Sequence, residues 1–305
     1  MSAWVALWLL MPTQSLSLSS DCAGRTLSGE ALLAGDVCVP YAPKRIVTLD
    51  PFYTLLMSLD LGASVVASTQ SGRDLPQQVP ENLVTVGQAT APNLEAILAQ
   101  DPDLILGAAY GQEKLLSSLS EIAPTVLIDT SDWRLYYQTI ARAVGQPEKA
   151  EHALDAFQAR LDATAALLPD HTTVSFLRIV PGGFQVYVDG PEAYAPISLL
   201  TELGLARPPF ETATDDTVLR RPTLEGLLEL QGDILIYTIG GAHHEGNAEE
   251  LEKEVTSTAI WQALPAVREG RAFRVEPKHW MGFGGLPSAH AVLADIRRIF
   301  GLPPE

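Results

Sequence analysis

The sequence predicts two α/β lobes with mainly parallel sheets, joined by one long helix. Three observations predict this. Short apolar strands alternate with helical segments along most of the 305 residues, the rhythm of parallel α/β architecture. The phrase "PNLEAILAQDPDLIL", residues 92–106, returns without a gap as "PTLEGLLELQGDILI", residues 222–236, an offset of 130. Two copies so far apart are not a solenoid; they imply two similar lobes in one chain. Between the copies lies "PEKAEHALDAFQARLDATAALL", residues 147–168, with no internal Gly or Pro.

The elements follow in order. "KRIVTLD" (44–50) is a short strand after a Pro-bearing turn, and "PFYTLLMSLDLGA" (51–63) a helix with Pro at its first position and Gly beyond its end. "SVVAST" (64–69) is a second strand. The stretch from Gly72 to Pro92 carries three prolines and reads as loop. The first copy gives helix 92–100 and strand 103–107, followed by the helix "GQEKLLSSLSEIA" and the strand "PTVLID". In 147–168, Ala153, Leu154, Phe157, Leu161 and Ala165 recur at helical spacing. As a helix it would span about 33 Å. Such a helix is either a packing element inside one domain or a stiff spine between two lobes, and the repeat favours the spine. "TTVSFLRIV" and "FQVYVD" are strands joined by the turn "PGG", and "AYAPISLLTELGL" is a helix. The second copy gives helix 222–231 and strand 233–238. "STAIWQALPAV", "RAFRVE" and "PSAHAVLADIRRIF" close the chain as helix, strand and helix. The resulting division is residues 21–146, a connecting segment 147–169, and residues 170–305.

The composition, 47% hydrophobic and 19% charged, can build real cores. A net charge of −17 makes nucleic acid an unsuitable partner and suits either solubility or a basic protein partner. "AWVALWLLM" (3–11) followed by "PTQSLSLSS" reads as an export signal over residues 1–20, although no Lys or Arg precedes the apolar run. It is too short to span a membrane. Cys22 and Cys38 are the two cysteines. In an exported chain they suit a disulfide, worth on the order of 3 kcal/mol for so short a loop. The alternative is a lipid anchor on Cys22, against which Asp21 stands where a small neutral residue is wanted.

Ligands of open α/β sheets bind beyond the carboxyl ends of the strands. That rule selects Asp50 and Tyr53 after "RIVTL", Tyr110 after "DLILGAA", and Arg178 at the end of "TVSFLR". It also selects Gly240 and Gly241 after "DILIYTI", and Trp280 and Phe283 after "RAFRVEPKH". Aromatic walls with a few polar groups suit a small molecule, and arginine suits an anionic, oxygen-rich one. Each has a structural alternative: Tyr53 packing inward, Trp280 as a core anchor, Arg178 in a surface ion pair. Glu95 and Glu225 open the helices of the two copies. A carboxylate there complements the positive helix end, which is a full structural explanation. The same acid at the same place in both lobes equally suits a partner with two basic pockets.

The residues bear on two other functions. A bare metal ion needs converging ligands. Of six histidines only His243 and His244 adjoin, in a polar loop. An enzyme would need a signature, and the chain has no HExxH, GxSxG or GxxxxGK motif.

Taken together, "PNLEAILAQDPDLIL", "LSEIAPTVLID", "VPYAPKRIVTLD", "VSFLRIVPGGFQVYV" and "PSAHAVLADIRRIF" resemble the substrate-binding proteins of ABC importers for ferric siderophores, haem and cobalamin, closest to the ferric siderophore branch. The resemblance covers roughly residues 38–300. It implies a class III periplasmic binding protein-like fold, with lobes joined by a single long helix and the ligand in the cleft between them. It implies ligand contacts at Arg178 and the Trp280 loop, and docking of Glu95 and Glu225 onto arginines of the two-subunit ABC permease. The expected ligand is an iron(III)–siderophore complex whose iron is held by the chelator, with haem or cobalamin as the alternative. The expected protein is a monomeric, extracytoplasmic binder with no cofactor, no protein-ligated metal and no catalysis.

Overall fold

In a computed structural model of the protein, which describes residues 22–70, 79–80, 82–240 and 248–303, the two copies of the repeated phrase carry the same contacts at the same places. Asn93 caps its helical turn by accepting the Ala96 N–H at 3.0 Å, and Thr223 accepts the Gly226 N–H at 3.3 Å. Ile97 and Leu227 are both wholly buried. Asp103 accepts the backbone N–H groups of Lys44 and Arg45, at 2.7 and 2.9 Å. Asp233 accepts the N–H and hydroxyl of Thr173, at 2.9 and 2.7 Å. Each aspartate thus latches the start of its lobe's first parallel strand to the strand that follows the phrase. The Thr173 bonds hold the Asp233 carboxyl below its ordinary pKa. Its contribution is therefore present above the unfolded-state value and is lost as pH falls through the depressed one.

The first lobe opens with a hairpin of β1 (Arg25–Leu27) and β2 (Val37–Val39). Its six-stranded sheet comprises β3 (Ile46–Thr48), β4 (Val65–Gln70), β5 (Val84–Gln88), β6 (Ala91–Pro92), β7 (Leu104–Ala108) and β8 (Thr125–Ile128), in the order β6-β5-β4-β3-β7-β8. All neighbours are parallel except β5 and β6. The strand β5 corrects the sequence expectation of a loop: "VTVGQ" alternates too briefly among prolines to stand out, and pairing with β4 makes it a strand. The helices here are α1 (Tyr53–Asp60), α2 (Leu94–Leu98), α3 (Leu116–Ser120) and α4 (Trp133–Val144). Gly145 ends α4 at φ 79, and a Cβ there would lie 2.6 Å from the Tyr41 carbonyl oxygen.

The connecting helix α5 (Pro147–Ala165) starts on its proline and buries Ala150, Leu154, Phe157, Leu161 and Thr164. At 19 residues it is about 28 Å long, three residues shorter than its periodicity suggested.

The second lobe has β9 (Val174–Val180), β10 (Gly183–Tyr187), β11 (Leu219–Arg220), β12 (Ile234–Ile239) and β13 (Ala272–Arg274), in the order β11-β10-β9-β12-β13. Here β9, β12 and β13 are parallel, whereas β10 and β11 are antiparallel. The tight turn after β9 leaves no room for a crossover, so β10 must return alongside it. Its helices are α6 (Ala195–Glu202), α7 (Ala248–Thr256), α8 (Ala259–Ala263), α9 (Pro265–Arg268), α10 (Pro277–Trp280) and α11 (Leu286–Ile299). The second copy's helix contracts to a 3-10 turn, Glu225–Glu229.

One hydrophobic core runs through both lobes. Leu104 and Val126 of the first sheet, Phe157 and Leu161 of α5, and Phe176, Leu200 and Ile236 of the second lobe all belong to it. A chain of rings crosses the junction: Tyr136 to Tyr53 at 5.5 Å, Tyr53 to Phe283 at 6.4 Å, Phe283 to Trp133 at 5.5 Å and Trp133 to Phe157 at 5.8 Å. Arg134 of α4 forms a two-bonded pair with Glu202 of α6, at 2.7 and 3.0 Å. Continuous packing of this kind resists rotation of one lobe against the other.

Cys22 and Cys38 are joined by a disulfide that ties the first described residue to β2. Its sulfur is thereby committed, and Cys22 does not carry a lipid while the bond stands. The double replacement Cys22→Ser/Cys38→Ser is expected to cost about 3 kcal/mol, read as a lowered urea midpoint of the variant relative to the oxidised protein. The proposed export segment, residues 1–20, lies outside the described residues, as do Gly241, His243 and His244.

Candidate functional site

Strand order reverses between β3 and β7 in one lobe and between β9 and β12 in the other. The carboxyl ends of β3 and β9 face a common cavity of about 450 Å3. The first lobe contributes Asp50 to Tyr53, Gln70 and Gln88 to Thr90. The second contributes Arg178, Tyr187, Tyr194 and Met281 to Phe283.

Asp50 follows β3 and accepts the N–H groups of Phe52 and Tyr53, at 2.8 and 2.7 Å, which fixes the start of α1. Tyr53 is therefore presented on the first turn. Its phenol is pushed well above the ordinary pKa, chiefly by burial and then by Tyr194, Asp50 and Tyr136, so it is a neutral hydrogen-bonding group at any physiological pH. Across the cavity, Tyr187 and Tyr194 lie 5.4 Å apart. The Tyr194 hydroxyl accepts the Phe283 N–H at 3.3 Å, which ties the loop after α10 to the start of α6.

Arg178 is the arginine of this wall. Its Nε donates to the Gly240 carbonyl at 2.7 Å, and its Nη1 donates to Gln185 Oε1 at 3.1 Å and to the Tyr187 hydroxyl at 3.2 Å. The guanidinium is held in one plane by β12, β10 and its own strand, while Nη2 makes no hydrogen bond among the described residues. A fixed fork with a spare donor suits an oxygen-rich ligand.

The sequence rule thus brought Asp50, Tyr53, Arg178 and Phe283 to one cavity. Gly240 stands outside the lining but accepts the Arg178 Nε–H, and two further selections lie elsewhere. Trp280 is wholly buried, stacked on Phe176 at 5.2 Å, with its indole N–H on Asp295 at 3.0 Å. It is a core anchor: α10 turns it inward, and the residues after it, Met281 to Phe283, pass over the cleft. Tyr110 is 95% exposed beyond β7, outside the cavity lining. Gln70 and Gln88 escaped the sequence reading although each is the last residue of a parallel strand: the expected second strand stopped at Thr69, and β5 was read as loop. Tyr187 shares a strand face with Gln185, two positions earlier, and Gln185 pairs in register with Arg178. Hairpin register was the signal that pointed to it.

Glu95 and Glu225 are both exposed, each at the start of the short helical turn of its copy. Among the described residues neither forms an ion pair. They lie apart from the cavity lining.

The family model for "Periplasmic binding protein" matches residues 46–278. The chain is 29% identical over 302 residues to the probable siderophore-binding lipoprotein YfiY of Bacillus subtilis, covering 94% of this chain and 92% of that one. It is 26% identical over 280 residues to the Fe(3+) dicitrate-binding periplasmic protein FecB of Escherichia coli, covering 88% and 89%. Among solved structures, Staphylococcus aureus SirA complexed with staphyloferrin B superposes with a TM-score of 0.75 at 23% identity, over 92% of this chain and 99% of that one. The Fe3+–Desferal-bound siderophore-binding protein FhuD of Vibrio cholerae does so with a TM-score of 0.69 at 26% identity, over 84% and 97%. Two lobes on one helical spine, a cavity at their facing strand ends and a family match across both lobes lead to one assignment: the chain belongs to the periplasmic binding protein family.

Proposed function

We propose that this protein is the extracytoplasmic substrate-binding subunit of an ABC importer, and that it holds an iron(III)–siderophore complex between its lobes. The observation that carries the reading is the inter-lobe cavity lined by Tyr53, Tyr187, Tyr194 and Phe283 around the fixed Arg178. Aromatic faces pack against the chelator, and Arg178 meets its oxygen atoms. The iron is bound through the chelator and not by the chain. The names of the relatives, several of which bind ferric chelates, support the same class. Export over residues 1–20, lobes at 21–146 and 170–305 with 147–169 between them, and action as a monomer complete the proposal.

The test is a binding titration of the full oxidised chain with ferric hydroxamate, catecholate and carboxylate chelates, haemin, cobalamin and free ferric ion. Saturable binding of one siderophore class, with none of free iron, is the expected result. Binding of haemin or cobalamin alone would move the ligand within the family; binding of bare ferric ion alone would overturn the siderophore reading.

Glu95 and Glu225 are proposed to dock onto basic residues of the permease, one on each subunit. Replacing both with Ala is expected to leave chelate affinity unchanged and to weaken docking to the importer tenfold or more at low salt, measured against importer embedded in nanodiscs. A collapse of chelate affinity would show the assignment to be wrong.

A further inference from the structure

Leu98 and Leu228 are 60% and 42% exposed. They occupy the same position in the two copies of the repeated phrase, 130 residues apart, each three residues beyond a docking glutamate. Seven large hydrophobic side chains are exposed among the described residues, and these two are the pair related by the repeat. The match extends to the surroundings: residues 92–99 and 222–229 alternate between partial burial, exposure and full burial in the same sequence, position for position.

Neither leucine is needed to seat its own helix. Ile97 packs in the outer core of the first lobe with Leu94 beside it. Leu227 packs in the outer core of the second lobe with Leu224 beside it. Leu98 and Leu228 belong to neither core. A single exposed leucine needs no explanation. A leucine placed beside the same exposed carboxylate on each lobe is a repeated two-part patch, apolar and acidic. Such a patch, presented twice, fits a partner that presents one complementary surface twice.

We infer that Leu98 and Leu228 are the apolar half of the docking surface, each seating in an apolar recess of one permease subunit beside the basic residue that meets Glu95 or Glu225. This rests on the proposed role of the two glutamates. The carboxylates give long-range attraction and register, and the leucines, buried on contact, give holding strength that salt does not screen.

The experiment compares wild type with Leu98→Ser, Leu228→Ser, the double leucine variant and Glu95→Ala/Glu225→Ala. All are full-length chains, docked onto the host's importer in nanodiscs at low and high salt. Ferric chelate binding and thermal unfolding serve as controls. Each single leucine variant is expected to weaken docking threefold or more. The double variant should weaken it by roughly the product, because the two leucines lie on different lobes and share neither core. The double leucine variant should keep the wild-type salt dependence, whereas the glutamate variant should flatten it.

Wild-type docking by the double leucine variant, with weakened docking by the glutamate variant, would overturn the inference and leave the docking face standing. Wild-type docking by both would remove the docking face itself and the inference with it. A dimer of the wild-type chain that forms with concentration and is abolished by Leu98→Ser would assign the leucines to self-association, and would also overturn it.

Discussion

Replacing Glu211 with Ala is expected to destabilise the protein by about 3–5 kcal/mol and to lower its melting temperature by roughly 10 °C. Glu211 and Arg207 form an ion pair at 2.5 Å with both side chains essentially without solvent contact. Glu211 Oε2 also accepts the Phe176 N–H at 2.9 Å, and Arg207 Nη2 donates to the Tyr187 carbonyl at 3.0 Å. The pair therefore pins β9 and β10 behind the wall that carries Arg178 and Tyr187. Burial raises the Glu211 carboxyl above its ordinary pKa and lowers that of Arg207, against the attraction between them. Arg207 keeps two buried donors, Nε and Nη1, without a partner among the described residues. The pair is thus expensive to bury, and removing one member is worse because it strands the other charge. Arg207→Met/Glu211→Leu should recover part of the loss. It should not recover all, because the Phe176 N–H stays unsatisfied at about 1–3 kcal/mol. Equilibrium unfolding in urea checks the stability of both variants, and a thermal melt the shift in melting temperature. A loss of under 1 kcal/mol for Glu211→Ala would mean that water reaches the pair.

Arg178→Ala is expected to weaken binding of the ferric chelate by about tenfold to 150-fold, the equivalent of losing a charge-assisted hydrogen bond worth about 1.5–3 kcal/mol. Arg178→Lys should rescue little. An ammonium cannot reproduce the planar set of bonds to Gly240, Gln185 and Tyr187 and still offer a donor to the ligand in the same place. Titration calorimetry with the chelate that binds wild type measures both. Unchanged affinity with a lowered melting temperature would make Arg178 a strut between β9, β10 and β12 rather than a ligand contact.

Much of the fold was legible because its signals are local. Pro51 and Gly62 bracket the first helix in the letters alone. Pro147 starts α5, and the spacing of its apolar residues declares one buried face. The ungapped repeat implies the two-lobed plan. What failed failed for identifiable reasons. The strand β5 has too few residues to outweigh the prolines around it. Trp280 ends α10 and Phe283 stands three positions on, and nothing in their order says that the first turns into the core while the second walls the cleft. Tyr194 reaches the cavity because it stands at the start of α6 with its ring against Tyr187 of β10, a contact that the letters do not show.

By itself, then, the sequence determined the two lobes, the spine and the matched pair Glu95 and Glu225, because periodicity acts between residues close along the chain and the ungapped repeat is visible in the letters themselves. The tertiary structure alone decided which side chains share the cavity, that the two lobes share one core, and that Leu98 and Leu228 stay outside it. Those depend on contacts between residues far apart in sequence, and on which way each side chain turns when the surfaces of the two sheets pack together.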